Sequence, residues 1–308
     1  MAYRTGEEKR SSAMPIAKGD SLNFYHLFTL LRQWFAPPTP AGPLPGPSLS
    51  LKTWWPRYTT GDFRLEICVG ALLVHQVSWR QVRTCLYNLQ QFLQASGKGF
   101  DIDALLSIPL PHLETLLRPS RFPRQKSRRL LRFCRFLQEK GGVEHVFSLW
   151  KHQAVEKELQ ELKIGFGPET RDCILLYAVN RPVFIADAYA RRLLHSLGVP
   201  DRDDYDRCQQ LFQEGIQRDF TAEDLAAVVR EYRPEELRHA LCNTPPPSTI
   251  PLVLLYQQFH AGIVELGISR RWEAFRAAFF SSSAPIPTPT TDPSPGNPRT
   301  PGVDAPAG

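Results

Sequence analysis

Apolar side chains recur every three or four residues along most of the chain, which is the spacing of amphipathic helices. Residues 22–35 and 79–95 show it most clearly, and Ser78 stands where the N-cap of the second helix is expected. The first apolar stripe consists of Leu22, Tyr25, Phe28, Leu31 and Phe35. Strand-like alternation is absent between residues 22 and 275, so the pattern predicts an all-α protein built from short helices.

Three segments lie outside this pattern. Residues 281–308 are mostly Ser, Thr, Pro and Gly, and residues 1–21 also lack a helical stripe. Such segments bury too little apolar surface to offset the entropy of ordering them. We therefore expect a disordered N-terminal extension, a disordered tail, and one domain over residues 22–280 that a proline-rich loop interrupts at residues 37–47.

Composition narrows the class of protein. The formal net charge is +6 and 42% of the residues are hydrophobic, which is typical of a globular protein. No apolar run reaches the roughly 20 residues that a membrane helix needs, and no secretory signal follows the charged N-terminus. The six cysteines are scattered without a CxxC pair. We expect a cytoplasmic protein without a membrane partner or a metal site.

The segment from residue 118 to residue 140 has an unusual charge pattern. Its nine cations are opposed only by Glu139, whereas a solvated helix face normally mixes both signs. A surface of one sign is the electrostatic footprint expected for a polyphosphate backbone. The segment therefore predicts nucleic-acid binding, with Lys126 and Arg128 among the contacts.

A glycine-punctuated hairpin lies at residues 162–168, between two predicted helices. Gly165 and Gly167 have no side chain to block close approach, so a phosphate oxygen could dock on the free backbone amides at the start of the second helix. An ordinary helical turn uses glycines in the same way. By itself the hairpin leaves both interpretations open.

Four separated segments together resemble a known family. They are similar to the helix-hairpin-helix (HhH-GPD) DNA glycosylases of the endonuclease III superfamily, and they occur in the order expected for that family. These segments are residues 54–56 with 70–79 (the opening of the domain), 162–178 (the hairpin and its second helix), 184–192 (the Gly/Pro-Asp segment) and 256–265 (the last helix). The Trp-Trp-Pro triplet and the glutamate of the hairpin resemble the 3-methyladenine DNA glycosylase branch that lacks an iron–sulfur cluster.

The resemblance implies two helical lobes with the active site in the cleft between them. Lobe A would comprise residues 22–61 and 181–275, and lobe B residues 62–180. Asp187 would be the catalytic aspartate, which stabilises an oxocarbenium-like transition state and orients water. Its position alone is also that of an N-cap for the following helix, and both interpretations are compatible.

The resemblance further implies a base pocket. It would be lined by Trp54, Trp55, Pro56, Trp79 and Glu169. Without the family, paired tryptophans would be assigned to the core; with it, indole faces would favour a positively charged base. Glu169 stands where bifunctional members hold a nucleophilic lysine, and a carboxylate cannot form a Schiff base.

The remaining expectations concern DNA contacts. The hairpin would contact phosphates through Gly165, Phe166 and Gly167, and His75 or Gln76 would fill the gap left by a flipped nucleotide. His260 is predicted to be a buried, hydrogen-bonded core histidine rather than a catalytic group. No cofactor is expected; a monovalent cation at the hairpin is the one inorganic partner that the resemblance allows.

Together these features predict a monofunctional DNA glycosylase that flips and hydrolytically excises alkylated purines, such as 3-methyladenine, from duplex DNA. We expect a monomer in the bacterial cytoplasm, associated with the nucleoid. Two alternatives stay open. One is a glycosylase for a mismatched, deaminated or oxidised base, and the other is a catalytically idle DNA-binding protein of the same fold. Asp187 argues against the idle protein, since binding alone does not require it.

Overall fold

A computed structural model of the chain describes residues 22–35, 50–55, 57, 59–150, 167–199 and 204–281. Within them there is no β-strand, which confirms the all-α fold. The α-helices are α1 (Phe24–Trp34), α2 (Phe63–Leu73), α3 (Trp79–Ala95), α4 (Ile102–Leu106), α5 (Leu110–Leu116), α6 (Pro123–Glu139), α7 (Gly142–Trp150), α8 (Pro168–Ile174), α9 (Ala188–Ser196), α10 (Tyr205–Asp219), α11 (Ala222–Arg230), α12 (Pro234–Ala240), α13 (Ile250–Ser269) and α14 (Trp272–Phe280).

Short polar side chains begin several of these helices. Asp62, Asp101 and Asp187 each accept a hydrogen bond from a backbone N–H of the first turn that follows. Such caps satisfy amides that have no partner inside the helix. Helix α3 begins directly after Ser78, as predicted, and the Gln81 side chain accepts a bond from the Ser78 N–H at 3.0 Å.

The helices form two groups that meet at the middle of the molecule. Helices α2 to α7 pack on one another, while α1, α9, α11 and α14 surround or adjoin α13. Helix α13 is buried from Val253 almost without interruption to Gly267, so it forms the centre of its lobe. On the predicted inner stripe of α1, Tyr25 is instead 43% exposed and packs edge-on against Phe220.

Close contact between α9 and α13 places the start of α9 beside the cleft. A Cβ atom at Gly267 would lie 2.1 Å from Cδ1 of Tyr189, so only glycine allows this approach. Helix α8 continues as a π-helical turn (Leu175–Val179) and ends at Asn180 in the left-handed conformation. The buried Asn180 side chain bonds to the Asn243 N–H and to the Ala240 carbonyl. These bonds anchor the extended segment that leads to α9.

The predicted DNA contact of Lys126 is wrong, because the structure places this side chain elsewhere. It is buried, 4% exposed, and its ammonium donates to the carbonyl oxygens of Leu73 (2.8 Å), His75 (3.0 Å) and Ser120. Burial lowers the pKa of Lys126 to about 8. Lys126 therefore joins the end of α2 to the start of α6, contrary to the predicted phosphate contact.

Replacing Lys126 by Met is expected to destabilise the protein. The apolar stem keeps its volume, but buried carbonyls lose their donor, which costs about 1–3 kcal/mol in the free energy of unfolding. Urea denaturation measures the change. Arg128→Met is the matched control, because Arg128 is exposed on the same helix and its loss should change stability by less than about 0.5 kcal/mol.

The pH dependence gives a second measurement of the same contact. The pKa of Lys126 is about 8 in the folded protein and about 10.4 in an unfolded chain. Between these values the unfolded chain binds more protons, so this side chain makes the free energy of unfolding rise with pH across that window. The Lys126→Met variant should lack this part of the rise. Equal pH profiles for the variant and the wild type would contradict the assignment.

Candidate active site

A cavity of about 360 Å³ opens where the two helical groups meet. It collects side chains from the segment before α2, from the start of α3, and from α8, α9 and α13. Five predicted site residues line it together, although they are far apart in sequence: Trp54, Trp55, Trp79, Glu169 and Asp187. The remaining predicted pocket residue, Pro56, lies outside the described residues.

Three tryptophan rings form one wall of the cavity. The rings of Trp54 and Trp79 are nearly parallel, with an interplanar angle of 28° and centroids 6.5 Å apart. Trp55 is buried and meets Trp79 edge-on at 4.8 Å. Trp55 also meets Trp54 edge-on, at 6.1 Å, so it packs against both of the nearly parallel indoles.

Asp187 stands at the first turn of α9 and uses its two carboxylate oxygens differently. Oδ1 accepts a hydrogen bond from the Ala190 N–H at 2.8 Å and so caps the helix. Oδ2 lies 3.7 Å from Nε2 of His260, across the cavity lining. The side chain is 8% exposed, so its charge is held in place and largely shielded from bulk water. Asp187 therefore caps α9 through one carboxylate oxygen and lines the cavity at the same time.

His260 is buried and hydrogen-bonded, as predicted, but it also lines the cavity. The Tyr177 hydroxyl donates to the Gln257 carbonyl at 3.2 Å, and its oxygen lies 2.9 Å from Nδ1 of His260. This arrangement directs Nε2 towards Asp187. No sequence pattern indicates this contact, because Tyr177 and His260 come from separate helical segments.

Glu169 lies in the first turn of α8, where the helix dipole favours a negative charge. Its side chain is partly open to solvent. Nevertheless, burial by the surrounding protein raises the pKa of Glu169, and the negative charge of Asp187 raises this pKa further. His260 and Arg191 act in the opposite direction and lower it. Glu169 and Asp187 therefore form a carboxylate pair at the cavity.

The predicted DNA contacts occupy the rim. His75 and Gln76 are exposed in the turn between α2 and α3, and Gln76 adopts the left-handed conformation with φ of 59°. Gly167 is an exposed N-cap with open space around it. Gly165 and Phe166, together with the segment predicted to form the first helix of the hairpin, lie outside the described residues.

A basic surface lies beside this rim. We define it by six exposed cations: Arg118, Arg121, Arg124, Arg128, Arg132 and Arg135. Glu114 lies 3.8 Å from Arg124 of this surface. Lys126 ties α6 to the His75 carbonyl, so the start of α6 lies beside the exposed turn.

Sequence reasoning missed Glu265 as a residue of this site. Its Oε1 accepts a hydrogen bond from Nε1–H of Trp54 at 2.8 Å. Burial raises the pKa of Glu265, and the bond from Trp54 partly offsets this. The chain positions of the two residues are 211 apart, so no local pattern could have paired them.

The described residues contain neither a candidate metal site nor a helix able to cross a membrane. Among them, no group of three His, Cys, Asp or Glu side chains could hold a metal ion. No helix in that part of the chain is both long and apolar enough to cross a membrane. The predicted absence of a cofactor stays a prediction, as does the cation at the hairpin.

Comparison with known proteins identifies the fold and the family. The sequence profile of the HhH-GPD superfamily base excision DNA repair proteins matches residues 69–218. The Methanocaldococcus jannaschii protein MJ1434, provisionally named a DNA repair glycosylase, is 31% identical over 201 residues, which span 63% of this chain and 86% of that protein.

A solved structure agrees with this match. The crystal structure of H. pylori 3-methyladenine DNA glycosylase (MagIII), bound to 1,N6-ethenoadenine, superimposes with a TM-score of 0.58 at 25% identity and covers 81% of this chain and 99% of that one. The profile match contains Trp79, Glu169 and Asp187, all of which line the cavity. The chain belongs to the HhH-GPD superfamily of DNA glycosylases that act in base excision DNA repair.

Proposed function

We propose that the protein is a monofunctional, monomeric DNA glycosylase that excises alkylated purines such as 3-methyladenine from duplex DNA. The observation that carries this proposal is the combination, in one cavity, of two facing indoles and an oriented carboxylate. The glycosylase class follows from the family. The choice of lesion and the lack of strand cleavage rest on the residues of this chain.

The indole pair supports recognition of a planar, positively charged base. The ring centroids of Trp54 and Trp79 are 6.5 Å apart and the rings are nearly parallel, so both indoles offer a stacking face to a planar aromatic ring at the cavity. Alkylation at a ring nitrogen gives a purine a positive charge. An indole face attracts such a cationic ring more strongly than it attracts a neutral ring. The solved H. pylori relative, a 3-methyladenine glycosylase, supports the same substrate class.

Asp187 is the group best placed to assist bond cleavage. The bond between C1′ of the flipped nucleotide and the purine nitrogen breaks with its electron pair leaving on the base, which neutralises a cationic purine. Positive charge then develops on the sugar, where a fixed carboxylate stabilises it. Water bonds to C1′ and loses one proton to the solvent. A cationic base leaves readily, so no strong general acid is required at the purine.

Base release from alkylated DNA tests the proposal directly. Duplex DNA treated with a methylating agent is incubated with the protein, and the freed bases are identified by mass spectrometry. We expect 3-methyladenine among the products and no release from unmethylated DNA. Duplexes that contain uracil, hypoxanthine or an oxidised base are tested in parallel. Release of a base from these duplexes alone would overturn the proposed lesion. Release of no base from any duplex would identify an idle DNA-binding protein.

The product is expected to be an intact strand with an abasic site. Glu169 cannot form the Schiff base of a lyase, and no lysine lines the cavity in the described part of the chain. On denaturing gels the strand should be cut only after alkali is added, which also serves as the control for base loss. A protein–DNA adduct trapped with borohydride would contradict this prediction.

A further inference from the structure

We propose that Glu265 makes this pocket selective for positively charged bases by acting through Trp54. The inference deepens the proposed function and rests on it, because it names the residue that would set the charge preference of the same pocket. Glu265 is a positioning residue in this account, since it lies behind Trp54 and is not part of the cavity lining.

The contact joins a charged acceptor to the edge of an indole. Oε1 of Glu265, on α13, lies 2.8 Å from Nε1 of Trp54. Trp54 comes from a short segment between a 3₁₀ turn (Leu51–Thr53) and α2, and its ring packs against those of Trp55, Tyr177 and His260. The hydrogen bond to the long central helix adds a directional contact at the edge of this ring.

Three other tryptophans among the described residues have no carboxylate at the indole N–H. The indole N–H groups of Trp34, Trp55 and Trp272 are buried without a hydrogen-bond partner among the described atoms. Trp54, which is less buried than Trp34 and Trp55, receives a carboxylate instead. A half-buried charge is expensive to place in a protein interior, so mere satisfaction of one N–H group is a weak explanation for it.

The charge of Glu265 has a specific effect on the stacking face. An ionised acceptor at the indole N–H strengthens the hydrogen bond and polarises the ring, which increases the electron density on its face. A cationic base stacked on Trp54 gains from both the richer face and the direct attraction to the carboxylate. A neutral base of the same shape gains neither. Glu265 therefore makes the pocket distinguish charged from neutral bases, while the Trp54–Trp79 pair selects for a planar ring.

Binding of two free bases that differ in charge tests the inference. The probes are 7,9-dimethyladeninium, a permanent cation, and 9-methyladenine, which is neutral; affinity is followed by quenching of tryptophan fluorescence. Glu265→Gln retains an oxygen that accepts from Trp54 and removes only the charge. We expect it to weaken cation binding about fivefold to tenfold, the range of a cation–π and charge-assisted contact, while neutral binding stays within about twofold.

Two further variants separate charge from packing. Glu265→Leu removes the acceptor as well and should weaken both probes, because the Trp54 ring is no longer held. Glu273→Gln, in the exposed first turn of α14, is the matched control and should keep the wild-type ratio of the two affinities. A wild-type pocket that fails to prefer the cation, or a Glu265→Gln variant with the wild-type ratio, would overturn the inference.

The outcome is distinguishable from failure of the proposed function. The binding assay needs no turnover, whereas the proposed function is judged by the bases released from methylated DNA. If methylated bases are released and Glu265→Gln keeps the wild-type ratio, only the role of Glu265 is wrong. If no base is released yet the charge preference depends on Glu265, the pocket is as described and the catalytic proposal fails.

Discussion

Replacing Asp187 by Asn is expected to slow base release about 100-fold or more, the usual scale for losing one electrostatic stabiliser of a transition state. Asparagine has the same shape and caps helices about as well as aspartate, so the bond to the Ala190 N–H should persist and the fold should survive. The amide has no negative charge, and the sugar cation would then develop opposite a neutral group. Binding to damaged DNA should change by only a few-fold.

Single-turnover release of the base, together with the thermal midpoint of unfolding, measures both parts of this prediction. Asp101→Asn is a matched control, because Asp101 accepts from the Ala104 N–H at the same 2.8 Å with the same three-residue offset and lies outside the cavity. It should release bases at the wild-type rate. Wild-type release by the Asp187→Asn variant would show that Asp187 is only a cap and would remove the main argument against an idle DNA-binding protein.

Reversing two charges of the basic surface is expected to weaken DNA binding about 100-fold, because each lost phosphate contact removes counterion release and each new carboxylate repels the backbone. The double variant is Arg121→Glu with Arg128→Glu; Arg121 lies just before α6, Arg128 lies within it, and both are exposed. The loss should be the same for damaged and undamaged duplex, because phosphate contacts carry no base information.

Fluorescence anisotropy over a range of salt concentrations measures this loss. The slope of log affinity against log salt should become shallower by roughly two, one for each contact removed. Arg230→Glu with Arg238→Glu changes the net charge equally on exposed helices of lobe A and should leave the slope unchanged. A defect confined to damaged DNA would show that the basic surface contacts the lesion rather than the backbone.

The arrangement of α6 shows how far a charge pattern can be used. The one-sign pattern predicts that Lys126 and Arg128 both face DNA, and for Lys126 this is wrong. The position of Lys126 follows the apolar stripe of the helix, since Leu130, Phe133 and Leu137 come four, seven and eleven residues later and are all buried. Arg128 lies off that stripe and is exposed. Helical spacing, applied together with charge, is enough to separate the two residues.

The sequence by itself determined the all-α class, the starts of helices such as α3 and α9, and the family. Apolar spacing and short polar caps are local properties, because each hydrogen bond or stripe involves residues only a few positions apart. That is why Ser78 and Asp187 could be assigned to helix starts. Separated segments in the right order were enough to recognise the family and to predict that Asp187 is its catalytic aspartate. These conclusions needed no knowledge of which helices touch.

Only the tertiary structure decided which residues share the site. The pairing of Glu265 with Trp54, and of Tyr177 with His260 and Asp187, joins positions that come together when α8, α9 and α13 pack. No sequence spacing encodes such contacts, since they depend on helix rotation and on close approaches such as that at Gly267. Likewise Lys126 is structural because three carbonyl oxygens converge on it, and that convergence exists only in the folded chain.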